Sequence, residues 1–316
     1  MMKKVLAFIL ILSLLLVILS GCGKSDTTVE SQTPSPSGTV EPTSVPDINS
    51  DEIFKFDSAT GTILGFNDAV SGITDIVIPA EIDGVAVSRI GDNAFNFKGL
   101  TSVVLPDSIE YIGSNAFKEN KITEITLPSS LKEMGIGAFW KNLLTEITIP
   151  EGITRLPVAA FRDNKITKIN FPDSLSIIGR GAFLKNMLTE LNIPGTVKIL
   201  ESTAFEDNQI ETLILNEGLE EICGFAFEKN NLTEITIPAS VKLIGRVSEG
   251  AIPELDYQGS AFRNNSLTKV TILGDDTEID EFMMGANNYF RDAYYEGGAG
   301  TYEGEQLAPW VKVSDN

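Results

Sequence analysis

The sequence predicts a β-rich solenoid, a stack of 22-residue coils capped at both ends. Three observations carry that expectation. Ala-Phe recurs at Phe95, Phe117, Phe139, Phe161, Phe183, Phe205 and Phe227, each step 22 residues, and one more copy ends at Phe262 after an insertion. Before each Ala-Phe lies a short apolar/polar alternation, the pattern of a strand with one buried face, and a proline closes this alternation in all copies but two, where Asn216 and Leu273 stand instead. Three residues after the phenylalanines stand Asn120, Asn142, Asn164, Asn186, Asn208, Asn230 and Asn265. A fixed period of this length means stacked structural units rather than one globular core.

The chain opens MMKKVLAFILILSLLLVILSGC. Two lysines precede an apolar run from Val5 to about Leu19, the layout of a signal peptide. Leu19-Ser20-Gly21-Cys22 resembles the bacterial lipobox, which implies a lipoprotein signal over residues 1–21 and a lipidated first mature residue, Cys22. Residues 22–50 are rich in Ser, Thr and Pro with few large apolar side chains. Such a segment cannot bury enough surface to offset chain entropy, so it reads as a tether.

The copy Ile122–Asn142 serves as the type. Ile125 and Leu127 alternate with Glu124 and Thr126, predicting a strand that Pro128 ends, because proline offers no N–H to a ladder. Leu131 and Met134 follow, and then often a glycine, as at Gly91, Gly113, Gly135, Gly179 and Gly245. That glycine fits a tight corner with unusual backbone angles. Pro157, Glu201 and Cys223 occupy the same place in other copies, so Cys223 reads as a small core residue. The invariant alanine predicts close approach of neighbouring coils. The phenylalanines should form one buried column. The asparagines should form a ladder, bonding backbone at a turn and satisfying groups of the next coil.

The recurring phrases L/I-T-x-I-x-I-P, x-x-L/V-x-x-I-G, x-x-A-F and x-x-N resemble the BspA-type leucine-rich repeat family of bacterial surface proteins. The resemblance implies a right-handed solenoid with short parallel strands, and a role in adhesion to proteins or cells rather than catalysis.

Solenoid ends need closing. Residues 51–95 are expected to form an N-terminal cap and first coil, with two strands around Ser58-Ala59-Thr60-Gly61. Repeats fill 96–273. Residues 274–316 should cap the other end with a short helix carrying Phe290 and Tyr294, ended by Gly297 and Gly298, and a hairpin at Thr301-Tyr302 and Trp310-Val311. The interval from Phe227 to Phe262 is 35 residues, placing an insertion near 246–260. Two readings stay open for it, a functional loop and a tolerated surface loop.

Composition narrows function. Net charge is −20, with 24 basic and 44 acidic residues, which argues against nucleic acid as partner. No histidine occurs, so Ser/His/Asp chemistry is impossible. No cysteine cluster with metal spacing and no phosphate-binding glycine motif is present. No cofactor and no enzyme activity are expected. The chain should be a monomer at the cell membrane, held by the Cys22 lipid and facing outside the cytoplasm.

Two surfaces are candidates for binding a protein or glycan. One is a turn edge, where Trp140 with Leu143 and Leu184 with Met187 replace polar residues, with Arg162 and Lys165 between them. Scattered surface apolarity is the alternative there. The other is the outward strand column Glu124, Glu146, Glu190 and Glu234. It reads as a solvated face, a ligand-facing column, or, least favoured, a glycosidase-like acid pair. A scaffold organising envelope proteins of its own cell is the competing function.

Overall fold

The computed structural model describes residues 53–245, 259–279, 289–305 and 309–315. The leader, Cys22, the tether and most of the insertion lie outside the described residues. Among the described residues no helix is long and apolar enough to cross a membrane.

Each coil has three sides. The first is the predicted strand, seen at Ser102–Val104, Glu146–Thr148, Lys168–Asn170, Glu190–Ile193, Thr212–Leu215, Glu234–Ile237 and Lys269–Ile272. The second is a two-residue strand such as Ile177–Ile178, which pairs in parallel with Ile199–Leu200 one coil on. The third is the turn around Ala-Phe, where backbone bonds run from coil to coil. Phe117 N donates to Ala138 O at 2.8 Å, and Phe139 N to Ala160 O at 2.9 Å. Alanine is therefore always small because the neighbouring chain is bonded directly against it.

The repeat phenylalanines form one column at the centre. Successive rings from Phe95 to Phe262 stack with centroids 5.3–5.7 Å apart and planes within 14°. Each is fully buried. The asparagines run beside them. Asn142 Nδ2 donates to the carbonyls of Phe117 and Phe139, while its Oδ1 accepts from Ile122 N. The ladder thus reaches back to the preceding coil, not forward to the next.

Two expectations change, and a second sheet is found that the spacing did not predict. First, the type copy has no strand at 124–127, and the first side is not one continuous sheet. It consists of pairs, 75–77 with 102–104, 146–148 with 168–170, and 190–193 with 212–215, and 234–237 with 269–272 joined to the C-terminal hairpin. Second, Gly91, Gly113, Gly135 and Gly179 do not have positive φ, although Gly245 does. A Cβ at Gly113 or Gly135 would strike backbone of the preceding coil, so close approach is what requires glycine there. Left-handed backbone sits instead two residues before and two after each phenylalanine from Phe95 to Phe227, as at Ala159 (φ 56) and Asp163 (φ 54) around Phe161. The two-residue strands form that second sheet, which splits in two between Glu133–Met134 and Arg155–Leu156. In neighbouring coils the next residue donates its N–H to the preceding strand, as Gly135 N does to Ile112 O and Gly179 N to Leu156 O. Pro157 has no N–H to give Met134.

The ends are closed by antiparallel hairpins. Phe54–Asp57 pairs with Thr62–Phe66, and Gly300–Glu303 lies between Lys269–Ile272 and Val311–Ser314. The helix Tyr289–Gly297 buries Phe290 and Tyr294 and ends with Gly298 at φ 71, whose N–H bonds Tyr294 O. Phe290 packs edge-on against Tyr302 and Trp310.

Candidate binding surfaces

The paired left-handed residues fold each turn back sharply and send the residue after phenylalanine along the outside of the stack. Asn96, Lys118, Trp140, Arg162, Leu184, Glu206 and Glu228 succeed one another there. Trp140 is held on three sides. Lys118 Nζ lies 4.0 Å from its ring centroid and the Arg162 guanidinium 5.0 Å. Its Nε1 donates to Asp163 Oδ2 at 2.9 Å, an oxygen that also accepts from Arg162 Nε at 3.2 Å. Cations facing an indole are worth about 0.5–1 kcal/mol each at an exposed site.

Apolarity at this position has a local cause. The two copies that carry Trp140 and Leu184 also have glycine at the first left-handed position, Gly137 and Gly181. The Trp140 ring lies 3.5 Å from where a Gly137 Cβ would be, and Leu184 lies 3.7 Å from a Gly181 Cβ. Each apolar side chain therefore packs over its own turn. Leu184 is only 8% exposed and does not present to solvent, contrary to the expectation for this residue. What remains outside is Leu143 at 36%, Met187 at 40%, and Lys165 between them. Sequence reading also missed Phe97, 62% exposed in a left-handed turn where other copies are polar, with Lys118 Nζ 5.9 Å from its ring. Its signal was available, an aromatic in a column of charges.

Further along, the edge becomes acidic. The Glu228 carboxyl is pushed above its usual range by burial and then by the Glu206 charge, against the pull of Lys229 and Arg263.

The strand face is grooved where its ladder is interrupted. Glu124 and Glu146 flank a cleft of about 270 Å³ beside Val104 and Thr126. Glu146 also borders a cleft of about 570 Å³ with Thr148, Glu151 and Asn170. Glu234 lines a third, of about 560 Å³, with Lys269 3.8 Å from its carboxylate. Glu190 points outward from its strand. The glutamates do not form an unbroken column, since Glu146 and Glu234 pair in register with Lys168 and Lys269. No cluster of three metal-binding side chains occurs among the described residues.

The chain is similar to several solved structures. A leucine rich cell surface protein from Faecalibacterium prausnitzii A2-165 is 22% identical over 71% of this chain and 75% of that one, with TM-score 0.43. A leucine-rich repeat protein from Bacteroides ovatus ATCC 8483 is 21% identical over 77% and 68%, with TM-score 0.47. The pneumococcal vaccine antigen PcpA is 20% identical over 72% and 66%, with TM-score 0.46. No curated protein matches the chain. The family described as BspA type Leucine rich repeat region, in six copies, matches residues 66–188 and 176–248. Those residues are more than half of the chain and hold most of the Phe–Asn coils described above, so this protein belongs to the BspA-type leucine-rich repeat family.

Proposed function

We propose that this protein is a lipid-anchored, non-catalytic binding protein of the cell surface, which recognises a protein or glycan through its solenoid. The lipobox at Cys22 and the Ser/Thr/Pro tether support a position outside the cytoplasm, with the repeats held off the membrane. The docking surface is the turn edge carrying Trp140, Leu143, Arg162, Lys165 and Met187. One observation carries this choice: Trp140 is fixed between Lys118 and Arg162 and bonded to Asp163. Aromatic and arginine side chains held in place bind at little entropic cost and are frequent hot spots.

The grooves beside Glu124 and Glu146 favour a second reading, in which a ligand lies on the strand face. The test compares two double variants of the full chain in non-ionic detergent against immobilised matrix proteins, glycans and envelope proteins of the same cell. Leu143→Ser with Met187→Ser should abolish capture of the partner, and Glu124→Lys with Glu146→Lys should leave it. The reverse result moves the site to the strand face.

A further inference from the structure

Charge is distributed unevenly along the turn edge. The turns 96–100, 118–122, 140–144, 162–166 and 184–188 hold seven cations and two acids. The next three, 206–210, 228–232 and 263–267, hold two cations and three acids. In a chain with 44 acidic and 24 basic residues, a lysine has abundant acids to pair with. Among the described residues nine lysines do so. Five do not, and four of those five, Lys98, Lys121, Lys165 and Lys185, stand exposed on these five turns. The fifth, Lys168, is on the strand face.

The unpaired cations alternate with exposed apolar side chains. Four residues after phenylalanine, successive coils carry Lys121, Leu143, Lys165 and Met187, with Phe97 exposed at the head of the strip. Equivalent phenylalanine rings of successive coils lie 5.3–5.7 Å apart, so like residues two coils on recur about every 11 Å. Three residues of an extended chain span at most about 10–11 Å, which reaches from Lys121 to Lys165.

We infer that this strip docks an extended acidic segment of a partner protein. Carboxylates about three residues apart meet Lys121 and Lys165, and apolar side chains meet Leu143 and Met187. The inference rests on the proposed turn-edge docking and names the chemistry of its partner. The acidic remainder of the molecule repels such a segment elsewhere, which confines it to the strip.

The probe is a labelled 18-residue peptide, Glu-Pro-Leu repeated six times, titrated by fluorescence anisotropy with the full chain in non-ionic detergent. Lys121→Glu with Lys165→Glu should weaken binding at least tenfold, and Lys168→Glu, which reverses an unpaired lysine on the other face, less than twofold. Leu143→Ser with Met187→Ser should weaken this peptide severalfold without affecting binding of an 18-residue polyglutamate. The inference is overturned if the peptide does not bind, if Lys168→Glu is as damaging as the edge pair, or if polyglutamate binds as well as the peptide. The last result would mean a polyanion patch. If the peptide fails while Leu143→Ser with Met187→Ser still abolishes capture of a surface partner, the edge remains the docking site and only its partner chemistry is wrong.

Discussion

Asn164 Nδ2 donates to the Phe139 carbonyl oxygen of the preceding coil at 2.9 Å. The same nitrogen donates to Phe161 O, and the amide oxygen accepts from Leu144 N. One buried side chain thus satisfies three backbone groups in two coils. At the turns, where the chain reverses, the strands cannot supply those partners.

The first prediction weighs this ladder against the aromatic column. Phe161→Ala should cost about 3–5 kcal/mol, since the ring is fully buried between two others. Each orphaned buried polar group costs about 1–3 kcal/mol, and Asn164 serves three, so Asn164→Ala should cost at least as much. Chemical denaturation measures both. A change below about 0.5 kcal/mol for Asn164→Ala would show that water replaces the amide.

The second concerns the break in the two-residue ladder. Pro157→Ala restores an N–H opposite Met134 O. Glu201 and Cys223 occupy the equivalent place with side chains, and each donates to its preceding strand. Amide hydrogen exchange at position 157 should therefore be protected, joining the two sheets. Net stability should shift by less than about 1 kcal/mol, because the added hydrogen bond is offset by a freer unfolded chain. Rapid exchange at that amide would mean that coil spacing, rather than the missing donor, separates the sheets.

The third concerns the anchor. Cys22→Ser should leave the leader uncleaved and the protein without lipid. Metabolic labelling with a fatty acid reads this directly, and equal label on variant and wild type would refute anchoring at Cys22.

Much of the architecture was legible in the residues. The 22-residue interval gave the coil, the proline gave the end of most first strands, and the Phe and Asn columns gave the buried axis. These are readable because each repeats with one environment, so a single copy's chemistry is tested eight times along the chain. The candidate edge was only half legible. Trp140 and Leu184 stood out as apolar among charges, but the same turn hid their cause in Gly137 and Gly181, three residues earlier. Pro157 was visible as a substitution for glycine, and its effect depended on which carbonyl faced it.

What the sequence determined by itself is therefore the repeating unit: its length, its buried residues and its stacking. Those follow from local periodicity and from side chains that cannot be left in water. What only the tertiary structure decided is how neighbouring coils meet. It set which strands share a ladder, which glycines are needed for approach rather than for φ, and that Lys118 and Arg162 close on Trp140 while Lys121 and Lys165 stay unpaired. These outcomes depend on contacts between residues about one repeat apart, where spacing and hydrogen-bond direction between coils, not the preference of any one residue, decide the result.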